Sequence, residues 1–357
     1  MYKEMFEGER LRKVGIELNS KKRSGSFLLL DQEVKKVLKF REGLEILPIR
    51  DALNKYDWLN DYLWRALKKD EYSKEVEEEF NGYFIRALPN SKIIMPVEAC
   101  FYLSNVKKQK IHNIIIAEEG SEINIISGCT SHPTATGMHI GVSEFFVKKN
   151  AKLTFTMIHN WTENIEVRPR TGIIVEDGGV FISNYVLLSP VKLIQTYPTA
   201  YLHENAKAVF SSIVVAFNNS TIDLGNKVVL SGRGSSAEII SRAISKGGVV
   251  IARGQIVAEV PDVKGHLECR GLILNDGIIR AIPELEARCS NVELSHEAAI
   301  GKIAEEEIFY LMARGMSRDE AMSTIIRGFM EIEMKDLPPE LKTEINKAIE
   351  LVGKYLL

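Results

Sequence analysis

The adjacent His296 and Glu297 in "VELSHEAAIG" are potential metal or proton ligands, and the chain has four cysteines, among them Cys129 in "GCTSHP" and Cys269 in "HLECRGLIL". Thiolate, imidazole and carboxylate are all metal ligands, and a His–Glu pair can also move protons. The same residues also have plainer readings. Alternation puts Leu267, Cys269 and Ile273 on one face of an extended segment, where Cys269 would serve as a small core hydrophobe. His296 shares a face with Val292 and Leu294, as a satisfied core histidine would. Glu297 points the other way unless the chain bends there, and it could instead cap the helix that follows. Cys129, after Ser127-Gly128, reads as a turn residue, and any reactive role for it requires an accessible, low-pKa thiolate. Four cysteines without a CxxC pair make neither a disulfide framework nor a structural zinc site, and Cys100 and Cys289 read as structural.

Three regions must position these groups. Residues 1–90 are expected to be mostly helical, because "IRDALNKYDWLNDYLWRALKKD" places Leu53, Tyr56, Leu59, Tyr62, Leu63 and Leu67 at helical spacing as a packing face. Across 91–296 the helical period vanishes. Segments such as "EDGGVFISNYV", "ENAKAVFSSIVV" and "KGGVVIARGQI" each pair a Gly/Asn turn with a β run. Strand landmarks at Val209, Ile222, Ala237, Val250 and Leu267 recur at a loose but steady spacing. That repeat, without two-residue Asn-Gly hairpins, predicts a parallel β-helix rather than a sandwich. Residues 297–357 turn helical again. "KIAEEEIFYLMARG" ends at Gly315, "SRDEAMSTIIRGFMEIEM" opens with a Ser317–Glu320 capping box, and a third helix begins near Pro339.

Composition removes several function classes. The 46 basic and 48 acidic residues nearly cancel, to a formal charge of -2, so no global field draws the chain to nucleic acid or an anionic membrane. No stretch approaches the ~18 apolar residues that span a bilayer, and "MYKEMFEGERLRK" lacks the apolar region of a secretion signal, so a cytoplasmic location is expected. Without a GxxxxGK[ST] loop the chain is not expected to be an enzyme that turns over ATP. Parallel β-helices also host polysaccharide-active enzymes, but the central acids here are scattered, with no DxD or paired-Asp strand.

Several motifs in order resemble the SufB/SufD family of the SUF iron–sulfur cluster assembly system. "HLECRGLIL" and "PELEARCSNVELSHEAAIGKIAEEEIFYLMARGMSRDEAMSTIIRGF" resemble its C-terminal half, and "HNIIIAEEGSEINIISGCTSHP" with "FTMIHNWTENI" resemble its upstream segments. The likeness covers roughly residues 80 to 357. It implies a right-handed parallel β-helix between a helical N-terminal region and a C-terminal helical domain that docks on the ATPase SufC. Ile303, Ile308, Phe309, Leu311 and Met312 would form that docking face. Matched residue by residue, the chain is closer to SufB. Cys269 occupies the position of the cysteine needed for cluster building, His296 and Glu297 match the "VEHEA" pair, and Cys129 matches the cysteine proposed to accept persulfide sulfur and pass it through the β-helix. His159 stands where SufB usually has glutamine, and "SHP" replaces "AP". The resemblance thus implies a scaffold with a transient iron–sulfur cluster, a sulfur donor protein, a second copy or paralogue as dimer partner, and a reduced flavin in the complete complex. A SufD-like structural partner without its own cluster site is the alternative.

Overall fold

Turns of this chain close on residues in the left-handed conformation. Asn90, Gly120, Asn150, Gly178, Asn205, Gly234, Asp262 and Asn291 have φ between 55° and 72° and mark successive turns. Asn, Asp and Gly enter that region at least steric cost. The backbone amide of each donates to a carbonyl one turn further on, at 2.8–3.0 Å, until the stack ends at Asn291. At Gly120 and Gly178 a Cβ would strike Oδ1 of Asn90 and Asn150, so a side chain on one turn lies over bare backbone on the next. The loose repeat seen in the sequence is therefore half a turn: Val209, Ala237 and Leu267 lie in one sheet, Ile222 and Val250 in the other.

The computed structural model describes residues 2–17, 22–77 and 81–331, with scattered positions between 334 and 350. It is a β-solenoid of about eight turns with helices at both chain ends. The first sheet stacks Gly25–Leu30, Lys92–Leu103, Glu122–Ser131, Lys152–Asn160, Val180–Leu187, Lys207–Ala216, Ser236–Lys246, Val263–Leu274 and Val292–Gly301, all parallel. The second runs from Tyr83–Ala87 through Lys108–Ala117, Gly137–Val147, Thr221–Leu230 and Val249–Ala258 to Ile278–Ala287. Between Gly137–Val147 and Thr221–Leu230 it contains two interrupted strands. One is Ile165–Val167 with Arg170–Val175, the other Leu193–Thr196 with Thr199–Leu202. Inward side chains of both sheets form one continuous core that runs from Phe27 to Leu294.

The N-terminal region is mixed rather than mostly helical. Glu33–Lys39 and Leu44–Pro48 are antiparallel strands at the starting edges of the two sheets, where exposed strand edges would otherwise invite pairing. Helical structure follows at Ile49–Lys55, Asp57–Tyr62 and Glu71–Val76. The expected packing face is present: Leu53, Tyr56, Leu59, Tyr62 and Leu63 cover Phe84, Ile114, Ile116 and Phe146 on the second sheet's outer side.

Helical and extended N-terminal residues also cover the first sheet. Leu11, Val14 and Ile16 belong to the same apolar cluster as Cys100, Tyr102 and Ile126, while Ile326 and Met330 join Ile244, Leu272 and Leu274 at the far end. The last strand runs to Gly301, and helix Glu305–Met312 begins shortly after it. Ser317 caps helix Arg318–Met330 in the expected box with Glu320. Arg318 joins the two helices by paired contacts of 2.7 and 2.9 Å to Glu305. Most of the third expected helix lies outside the described residues. Among the described residues, no helix is long and apolar enough to cross a membrane.

Candidate sulfur and metal site

Because parallel strands in register point matching side chains the same way, inner columns can be read from strand pairing. One column contains Ser127, Met157, Tyr185, Ser212, Ser241, Cys269 and Ala298 on successive strands of the first sheet. The adjacent column carries Phe101, Cys129, His159 and Leu187. Cys129 thus lies beside the stretch of this column that runs from Ser127 to Cys269. Five strand steps separate Ser127 from Cys269, roughly 24 Å at ~4.8 Å per strand.

Cys129 is buried, 1% exposed, with Sγ 3.6 Å from Met157 Sδ. Burial pushes its thiol pKa upward, and the Ser127 hydroxyl offsets this only in part. The accessible, low-pKa thiolate that sulfur exchange requires is therefore not present in this conformation. Around it lie two buried histidines that sequence reasoning did not single out as a pair. His159 Nδ1 is 2.9 Å from the Tyr185 hydroxyl, and His139 Nδ1 is 2.8 Å from Gln109 Oε1. Gln109 Nε2 donates to the carbonyls of Asp31 and Tyr102, so Oε1 must accept, and His139 carries its proton on Nδ1. Burial pushes both histidines down to about 3, with His139 further lowering His159. Both are neutral at physiological pH. Trp161 packs between the rings, at 5.1 and 5.5 Å from their centroids.

Cys269 is 2% exposed on the inner face with Leu267, as the alternation predicts. Its thiol is pushed up to about 11 by burial and by Glu268, against the pull of Arg242. Glu268 lies on the outer face, 2.7 Å from both Arg242 and Arg270. In the last strand His296 pairs with Leu267, Glu297 with Glu268, and Ala298 with Cys269. His296 therefore shares the inner face with Cys269, diagonally across one strand, about 8 Å away at the backbone from the strand geometry. Glu297 occupies the outer face. The bend that would turn both side chains to one ion does not occur at this point, since the strand continues to Gly301. Both His296 and Glu297 are exposed at the solenoid's open end. Among the described residues no three His, Cys, Asp or Glu side chains come close enough to hold an ion. Cys100 is buried under the N-terminal segment and Cys289 is half-buried.

The five residues expected at an ATPase face divide. Ile308 is buried and Ile303 packs against the solenoid, whereas Phe309 and Met312 are exposed at 58% and 37%, beside exposed Tyr310 and Met316. Leu311 is intermediate.

Behind Met157 lies an interior cavity of about 80 Å³, lined among others by Met157, His159, Tyr185, Ser212, Thr171 and Thr196. It is too small for the ring system of a flavin. The signal for this cavity was present in the sequence: Pro169 and Pro198, which both line it, stand at matching places on consecutive turns.

The chain is thus a parallel β-solenoid with two interior cysteines on adjoining columns. The family profile described as "SUF system FeS cluster assembly, SufBD core domain" matches residues 101–329. An iron–sulfur cluster assembly SufBD family protein of Archaeoglobus fulgidus is 63% identical over 353 residues, covering 98% of this chain and 96% of the relative. Named likewise, a Methanothermobacter thermautotrophicus protein is 48% identical over 96% of this chain and 87% of its own length. One from Pyrococcus horikoshii is 35% identical over 87% and 72%. The chain belongs to the SufBD family of iron–sulfur cluster assembly proteins.

Proposed function

We propose that this chain is the SufB-like scaffold of its system, accepting sulfur at Cys129 and building a transient cluster at Cys269. The observation that carries this reading is the inner column from Ser127 through Met157, Tyr185, Ser212 and Ser241 to Cys269. Sulfur arrives from a donor protein as sulfane sulfur, and each atom needs two electrons to become sulfide, which a partner must deliver. One chain brings Cys269 and His296 to the inner face but leaves Glu297 outside, so a complete ligand set requires a rearranged strand or a second chain. The edge strands Ile278–Ala287 and Val292–Gly301 offer the unpaired backbone on which a copy or paralogue would dock. A SufC-type ABC ATPase binds the exposed Phe309–Met312 surface, hydrolyses ATP itself, and moves the two open ends relative to each other. The whole assembly works in the cytoplasm. The opposite facing of His296 and Glu297 supports a second reading, a SufD-like structural partner that lends only its frame.

The test is to follow sulfane sulfur by anaerobic mass spectrometry after supplying a persulfide donor. The scaffold reading expects sulfur first on Cys129 and later on Cys269, with Ser212→Leu holding it at Cys129. Persulfidation of Cys269 at an unchanged rate in Cys129→Ser would remove Cys129 from the route.

A further inference from the structure

The second sheet is broken at one place. Its interrupted strands part at Arg168-Pro169 and, one turn later, at Tyr197-Pro198, while Gly137–Val147 and Thr221–Leu230 on either side run unbroken. Proline has no amide to give to a ladder, and inside a sheet it marks an edge or a gap. Two prolines on consecutive turns put the gaps side by side. Both line the 80 Å³ cavity, which reaches across the solenoid to Met157 and Tyr185 on the first sheet. Those two inward-facing side chains keep partial exposure, whereas Cys129 is sealed. Met157 stands between cavity and cysteine, its Sδ against the thiol at 3.6 Å. Methionine, unbranched with three rotatable bonds, is the side chain best able to swing aside.

Two arginines flank the break on the sheet's outer side, each beside a carboxylate. The guanidiniums of Arg168 and Arg170 lie over the Tyr72 ring at 4.8 and 4.9 Å. Arg170 is held by Asp70 at 2.5 Å, and Arg168 by Gln195 at 2.7 Å, with Glu166 further off at 3.8 Å. Nε of Arg168 is buried and finds no partner among the described residues.

We infer that this proline-framed break is a side port through which a small anionic sulfane-sulfur species reaches Cys129. The class is an HS–S⁻ unit, free or at the tip of a donor's cysteine. A cavity of this size holds only a few heavy atoms, set against the ~150 Å³ that accommodates benzene. The step it serves is redox-neutral. The Cys129 sulfur attacks the terminal sulfane sulfur, the new Sγ–S bond replaces the donor S–S bond, and the thiol proton leaves with the departing sulfur, as H₂S from free HS–S⁻ or as the donor's cysteine thiol from a persulfidated cysteine. The significance of the port rests on Cys129 as sulfur acceptor, but its existence is a separate matter of access.

Access is read by the native-state labelling rate of Cys129, followed by peptide mass spectrometry in a Cys289→Ser background. The reagents are methyl methanethiosulfonate, which is small, and N-ethylmaleimide, which is bulky. The port predicts that the small reagent labels Cys129 at least tenfold faster, relative to each reagent's rate with a free thiol. Thr171→Phe, which fills the cavity from the second sheet, slows it about tenfold, and Met157→Ala speeds it. Equal normalised rates for both reagents, unmoved by Thr171→Phe and Met157→Ala, would mean that Cys129 is reached by general opening and would overturn the port. A parallel arm loads sulfur from sodium disulfide or from a persulfidated cysteine peptide. Loading slowed by Thr171→Phe supports the port, and the reagent that is slowed identifies the source. Port-dependent labelling without any sulfur loading would instead sink the acceptor role and leave the port standing.

Discussion

Acid should loosen the interior around Cys129, and two side chains account for it. His139 and His159 are held near 3 by burial in the folded chain, against 6.5 for an ordinary histidine. A histidine with a depressed folded pKa binds its proton more readily when unfolded, so its stabilising contribution is full above about pH 6.5 and falls as pH drops towards 3. Between pH 7 and pH 5, each histidine with these values surrenders about 2 kcal/mol, and the pair about 4 kcal/mol. Glutamine approximates the shape without titrating in this range. The assay is a urea melt at pH 7 and pH 5 for wild type, His139→Gln, His159→Gln and the double variant. Wild type should lose about 4 kcal/mol more than the double variant over that interval, with each single variant between them. Identical pH dependence in wild type and double variant would show that neither ring is held neutral by its surroundings, and the interior described around Cys129 would be mistaken.

Further substitutions test other parts of the structure. Leu267 is fully buried, and a Cβ on Gly254 would collide with it, so Leu267→Ala should cost about 2–5 kcal/mol in a denaturant melt. Glu268→Gln should bring the Cys269 thiol below about 11, because it removes a raising charge and frees Arg242 from its ion pair. Arg242→Gln should shift it the other way, both read from the pH dependence of Cys269 alkylation. A Cβ at Gly128 would meet Val14 and Ile16, so Gly128→Val should lift the N-terminal segment and speed proteolysis before Ile16. Phe309→Asp should abolish capture of a SufC-type ATPase while leaving the melting curve within about 0.5 kcal/mol of wild type, as surface changes usually do.

Much of this was legible in the sequence, but at half the true period. Spacings from Val209 to Leu267 revealed turn-plus-strand units, and the Gly/Asn turns gave the solenoid. Pairing Cys129 with His159, or Gln109 with His139, needs the full turn, which only the left-handed positions from Asn90 to Asn291 define. The inner placement of Cys269 follows from alternation with Leu267, and the opposite facing of His296 and Glu297 follows from the same rule once the strand is known to reach Gly301. The mixed character of residues 25–48 was hidden because Gly25–Leu30 and Leu44–Pro48 take pairing from the distant Val97–Tyr102 and Tyr83–Ala87, and Glu33–Lys39 is a hairpin partner of the first. Local propensity carries little of that information. The capping box at Ser317 depends only on residues within one helical turn and was readable outright.

The most direct test of the scaffold itself is iron and acid-labile sulfide content after anaerobic reconstitution of wild type and Cys269→Ala, alone and with a SufC-type ATPase. The account predicts near-stoichiometric cluster in wild type, at least in the complex, and its loss in Cys269→Ala while the circular dichroism spectrum is unchanged. A cluster that forms equally well in Cys269→Ala, or in neither protein under any of these conditions, would contradict it.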